Sequence, residues 1–171
     1  MIVNLAHGAS GNAASMKAYI DGLLERGVEA RAISLPLGKP ERAVDAYRSQ
    51  VPELAKDIIG GHSYGGRMAS MLAAQEAPAG LVLLSYPLHR PGHPEWETRI
   101  PHWPDIYCPV LLLSGESDPF ARIDLLRQAT ERLRDAELVT YPRVGHGLMA
   151  VLDDALDRIV QFARGLTATE G

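Results

Sequence analysis

Short apolar runs alternate with amphipathic segments from one end of the chain to the other. Residues 2–6, 29–35, 57–61, 80–85, 110–114 and 137–141 are largely apolar, as strands covered on both faces should be. Between them lie segments of helical spacing. Residues 14–26 place Met16, Ile20, Leu23 and Leu24 on one face, and Gly27 is a natural stop. Residues 41–50, the Ala- and Met-rich 67–77, 121–133 and 148–164 read as further helices. This alternation predicts βαβ units: an α/β fold of about six mainly parallel strands, with helices on both faces. In such sheets chemistry gathers at the carboxyl ends of the strands. That rule selects the loops 7–13, 61–66, 114–120 and 142–148.

One loop carries Gly61-His62-Ser63-Tyr64-Gly65, a G-x-S-x-G pattern. A serine on a sharp strand-to-helix turn takes a strained backbone, and side chains two residues to either side would collide there. Apolar DIIGG before the pattern and RMASMLAAQ after it supply the strand and the helix that such a nucleophile elbow needs. The competing reading is a glycine-rich turn with an incidental serine.

Asp118, in SGESDPF, and His146, in VGHGL, follow later strands, in the order Ser…Asp…His. The expected roles are a proton relay through His146, with Asp118 holding the imidazole in its tautomer. Each has a plainer alternative. Asp118 before Pro119 suits a helix N-cap, and His146 between glycines suits a turn. Glu116 and Asp124 are rival acids, one nearer the strand and one inside the following helix. The loop His7-Gly8-Ala9-Ser10-Gly11 is expected to complete an oxyanion hole. Ala9 N–H would donate beside Tyr64 N–H, with Gly8 as neighbour and His7 as a brace. An ordinary Gly-rich turn is the alternative.

Together HGASG, GHSYGG, LLSYPLHRPG, PVLLLSGESDPF and VGHG resemble the small α/β-hydrolase proteins of the dienelactone-hydrolase-like group. Within it, the chain is most similar to a branch of bacterial hydrolases related to a subunit of a chromatin-acetylation complex. The likeness runs over residues 1–162 and implies a minimal α/β-hydrolase fold and the Ser63, Asp118, His146 set. The usual fold has two strands before the HG strand, absent here, and no large cap follows the Ser85 strand. Dienelactone hydrolases carry a cysteine nucleophile, so their activity does not transfer to Ser63.

Composition narrows the picture without choosing a substrate. The 171 residues, 46% hydrophobic and 22% charged, suit a single domain over residues 1–165, with 166–171 as a frayed tail. A net charge of −4 and scattered Lys and Arg argue against a nucleic-acid partner. The one cysteine, Cys108, excludes an intrachain disulfide and reads as buried and inert. MIVNLAHGAS lacks signal-peptide features and no stretch is long enough for a membrane span, so a cytoplasmic location is expected. Residues 86–107, with prolines at 87, 91, 94, 101 and 104, form the longest irregular stretch. They are expected to cover the site mouth, with Trp96 and Trp103 as apolar wall. His89, His93 and His102 lie among prolines without a ligand set around them, so no metal is expected.

The expected chemistry is hydrolysis of a small-molecule ester or acyl substrate through an acyl-serine, with no cofactor. Alternatives are a binding or scaffold module that keeps hydrolase geometry, and a serine peptidase. An exposed edge strand offers a route to a homodimer.

Overall fold

The computed structural model describes residues 1–169. Six parallel strands form one sheet: β1 (Val3–Ala6), β2 (Ala30–Ile33), β3 (Ile58–His62), β4 (Gly80–Leu84), β5 (Val110–Gly115) and β6 (Ala136–Tyr141). The helices are α1 (Lys17–Glu25), α2 (Pro40–Gln50), α3 (Tyr64–Gln75), α4 (Ile123–Thr130) and α5 (Leu152–Thr169). This is the α/β architecture of about six parallel strands that the alternation predicts.

The strand order is β2-β1-β3-β4-β5-β6. The chain leaves β1 toward one edge and builds β3 to β6 toward the other, so direction reverses between β1 and β3. Loops leaving neighbouring strands to opposite sides open a crevice at their carboxyl ends. The HGASG loop and the G-x-S-x-G loop flank that point.

Successive strand side chains feed opposite faces. Val3, Leu5, Ile58, Val82, Leu84, Leu111 and Leu113 pack with Tyr19 and Leu23 of α1 and Leu156 and Ile159 of α5. Ala6, Ile59, Leu81, Leu83 and Leu112 pack under α2, α3 and α4. Tyr47 of α2, fully buried, takes the Gly60 N–H on its hydroxyl at 2.9 Å and so pins β3 just before the elbow. Gly27 takes φ +78° after α1, with Val28 N–H returning to the Leu23 carbonyl, which closes the helix as expected.

Three expectations are corrected. Helix α3 starts at Tyr64 rather than 67, because the elbow turns within one residue and Ser63 itself is the N-cap position. Helix α4 spans Ile123–Thr130 rather than 121–133; Glu131, Arg132 and Leu133 each bond three residues back, tightening the end of the helix into a 3₁₀-like turn. Residues 166–169, expected to fray, continue α5, with Leu166 packed on the core beside Phe162. Residues 170–171 of that tail lie outside the described residues.

The segment 86–107 is also not what its composition suggested. It contains two single 3₁₀ turns, Glu97–Arg99 and Trp103–Asp105. Its tryptophans do not wall a mouth. Trp103 is fully buried with its ring centroid 5.0 Å from that of Tyr86, and Trp96 is 4% exposed beneath the Arg132 guanidinium. The segment thus supplies core to the α3 and α4 face, where apolar area is worth most. No helix among the described residues is long and apolar enough to cross a membrane.

Candidate active site

Ser63 sits between β3 and α3 at φ 51°, ψ −116°, a conformation that L-residues rarely adopt. The flanking glycines are required by space. A Cβ on Gly61 would lie 2.5 Å from the Ala6 carbonyl oxygen and 2.7 Å from the Gly65 carbonyl carbon. One on Gly65 would lie 2.5 Å from the Ala6 carbonyl carbon. Both approaches are to backbone, which cannot rotate away. Ser63 N–H donates to the Leu84 carbonyl at 2.8 Å, tying the elbow to β4.

The structure brings Ser63, His146 and Asp118 together. His146 Nδ1 lies 2.8 Å from Asp118 Oδ2, and His146 Nε2 lies 2.9 Å from Ser63 Oγ. An ionised carboxylate only accepts, so Nδ1 carries the ring proton. Nε2 is then the acceptor for the Ser63 hydroxyl, the tautomer a general base needs.

Asp118 is 4% exposed. Its Oδ1 accepts from Phe120 N–H at 2.8 Å while Oδ2 faces the histidine. It therefore makes a turn and faces His146 at once, but does not cap α4, whose N-cap position is Arg122. Of the rival acids, Glu116 accepts from the Thr140 hydroxyl, and Asp124 pairs with Arg122, whose guanidinium holds its carboxyl down at about 2. Neither is bonded to His146. Ser117 N–H donates to the Val144 carbonyl at 2.9 Å, fastening the Asp118 loop to the His146 loop. A Cβ on Gly145 or Gly147 would meet nothing within 4 Å, so these glycines leave open space beside the ring.

His7 is 2% exposed and braces its loop, as expected. Its Nε2 accepts Leu35 N–H at 3.0 Å, so Nδ1 donates to the Gly8 carbonyl at 2.7 Å. The loop lies against the elbow: a Cβ on Gly8 would be 3.2 Å from His62 Nδ1. Tyr64 is the first residue of α3, where a backbone N–H has no partner inside the helix. Ala9 is exposed. Among the described residues neither the Ala9 nor the Tyr64 amide donates to a protein acceptor.

Two contacts were not read from the sequence. His62 Nε2 lies 3.0 Å from the His146 carbonyl oxygen, and the Phe120 ring lies 4.4 Å from the His146 ring. His62 occupies a variable place of the G-x-S-x-G pattern, which carries no signal for a role. Phe120 is marked only by lying two residues beyond Asp118. Burial holds the His62 pKa below the ordinary histidine value.

Two more histidines, His89 and His102, are committed elsewhere. His89 Nε2 accepts Arg122 N–H, and its Nδ1 donates to the Arg90 carbonyl. His102 Nε2 faces the Ser70 hydroxyl at 2.8 Å. Cys108 is buried, which pushes its thiol up to about 12 and leaves it inert.

The sequence model of the alpha/beta hydrolase domain matches residues 36–150, more than half of the chain. Among solved structures, the chain is similar to a monoacylglycerol lipase from Paleococcus ferrophilus, at 18% identity and a TM-score of 0.84, over 96% of this chain and 94% of that one. It is also similar to Est1E from Butyrivibrio proteoclasticus with ferulic acid bound, at 17% identity and 0.80, over 98% and 89%. A thermophilic esterase from Thermogutta terrifontis, with malate bound, matches at 16% identity and 0.78, over 97% and 90%. At these identities the likeness is one of fold.

Proposed function

The chain belongs to the alpha/beta hydrolase domain family, and from that premise we propose that it cleaves a carboxylic ester or thioester through an acyl-Ser63 intermediate. The observation that carries this reading is the relay Asp118–His146–Ser63, with bonds of 2.8 and 2.9 Å. His146 Nε2 takes the Ser63 proton as Oγ attacks the carbonyl carbon, and then returns it to the leaving oxygen or sulfur. Asp118 holds the ring and stabilises the imidazolium formed in between. Water then attacks the acyl-serine by the same route. Tyr64 N–H and Ala9 N–H, beside Gly8, are the donors assigned to the oxyanion, and removing one such donor typically costs about 10²–10³ in rate.

The esterase and lipase names of the structural neighbours favour an ester over a peptide. The kinship to the dienelactone-hydrolase-like group, read from GHSYGG and SYPLHRPG, belongs to the same proposal.

The test is intact-mass spectrometry after fluorophosphonate treatment of wild type, Ser63→Ala and His146→Ala. A single adduct on wild type, absent from Ser63→Ala and much slower on His146→Ala, is expected. No adduct on folded wild type would sink the hydrolase reading in favour of a binding module built on the same geometry.

A further inference from the structure

The two amides assigned to the oxyanion lie on separate elements of unlike stiffness. Tyr64 N–H opens α3, whose first turn is pressed against the end of β1: a Cβ on Gly65 would lie 2.6 Å from the His7 carbonyl oxygen. Ala9 is exposed, in a loop between Gly8 and Gly11, where a backbone has most freedom. Two donors serve one oxygen only when each lies about 2.7–3.1 Å from it, so their spacing has to be held. A misplacement of about 1 Å can cost about a hundredfold in rate.

The residues that follow β2 are tied to both. The Pro36 carbonyl accepts the Tyr64 hydroxyl at 2.7 Å. Its neighbour Leu35, buried, donates its N–H to His7 Nε2 at 3.0 Å. Nδ1 of the same ring donates to the Gly8 carbonyl at 2.7 Å, and that carbonyl also accepts Gly11 N–H at 3.1 Å. In a trans peptide the carbonyl of one residue and the N–H of the next share a rigid plane and point opposite ways. Fixing the Gly8 carbonyl therefore aims Ala9 N–H.

The segment is itself anchored. Gln50, at the end of α2, accepts Ser34 N–H at 3.2 Å and donates from Nε2 to the Ser34 carbonyl at 2.9 Å. The ring of Pro36 limits its own φ, and Pro40 begins α2. One chain of bonds thus runs from the Tyr64 side chain through Pro36, Leu35 and His7 to the peptide that carries Ala9 N–H.

We propose that Leu35 and Pro36 form a clamp that sets the spacing of the Ala9 and Tyr64 amides across Ser63, with the Tyr64 hydroxyl and the His7 ring as positioning groups. The inference rests on the hydrolase reading for what the amides receive, and the clamp itself can be tested without turnover.

Tyr64→Phe removes one hydroxyl and keeps the ring. Its effect is read on 4-nitrophenyl acetate and on the matching thionoacetate, which carries sulfur in place of the carbonyl oxygen. The pair differs only in the atom offered to the two amides. In Tyr64→Phe, kcat/KM for the ester should fall about tenfold and that for the thionoester less than about threefold, so their ratio narrows. His7→Gln, whose amide offers both an acceptor and a donor, should narrow the ratio less than His7→Leu. A brace that only stiffens the loops would slow both substrates alike, and an unchanged ratio in Tyr64→Phe overturns the proposal. Should wild type turn over neither substrate and take no fluorophosphonate, the hydrolase reading fails, and NMR relaxation of the backbone amides decides the clamp. The Ala9 order parameter is expected near about 0.85 in wild type and below about 0.6 in Tyr64→Phe. That loss sustains the clamp, and equal values in the two proteins remove it.

Discussion

The ring of His62 holds the backbone of His146: Nε2 lies 3.0 Å from the carbonyl oxygen of the residue whose own ring serves Ser63. A carbonyl only accepts, so Nε2 carries the proton, and burial keeps the ring neutral by lowering its pKa. The residue before the nucleophile thus fixes the loop that carries the base. His62→Ala should lower kcat by about tenfold, the worth of one buried hydrogen bond. His62→Gln, with an amide N–H near the same point, should recover part of it. Equal losses in both variants, with unchanged thermal stability, would dismiss this positioning role.

Asp118 makes two separable bonds, to Phe120 N–H through Oδ1 and to His146 through Oδ2. Asp118→Asn can keep the first through its carbonyl, but it then presents N–H₂ to the histidine. The ring must turn its lone pair toward that amide, so Nε2 becomes a donor and no longer accepts the Ser63 proton. The expected loss in kcat is about 10³–10⁴, with little change in the urea midpoint. Steady-state rates beside an unfolding curve check both halves.

Gly61 and Gly147 both lie beside the relay, yet only one is required for space. Gly61→Ala drives a Cβ to 2.5 Å from the Ala6 carbonyl oxygen, which cannot yield without moving β1. A destabilisation of about 2–4 kcal/mol or failure to fold is expected. Gly147→Ala meets nothing within 4 Å and should change stability by less than about 1 kcal/mol. Urea denaturation of the pair measures the contrast.

Acid lability should trace in part to His102. Burial, and then the positive charge of Arg67, push its pKa down to about 4 from 6.5, against a smaller opposing pull from Asp105. The folded chain then binds fewer protons than the unfolded one between those values. The stability this preserves is whole above pH 6.5 and is lost as pH falls toward 4, by up to about 3 kcal/mol. His102→Asn, which keeps an N–H donor near Ser70, should flatten the melting temperature between pH 6.5 and 4. An unchanged acid limb would count against it.

The continuous apolar runs and the helical spacings were legible because burial is a property of each residue and its near neighbours. They placed all six strands, the helices within a few residues, and the four loops at the carboxyl edge. The elbow was legible for a related reason: Gly61, Ser63 and Gly65 meet a steric demand made within five residues. What chain order could not supply was distance across the fold. Loop position favoured Asp118 over Glu116 and Asp124, but only the tertiary structure shows which carboxylate reaches His146 and which are taken by Thr140 or Arg122. It moved Trp96 and Trp103 from the site mouth into the core, since apolar side chains go where area is buried, and a proline-rich segment does not announce which side it covers. It also placed His62 on the backbone of His146 and Phe120 against its ring. These are contacts between residues far apart in the chain, set by how the sheet and its loops close in three dimensions.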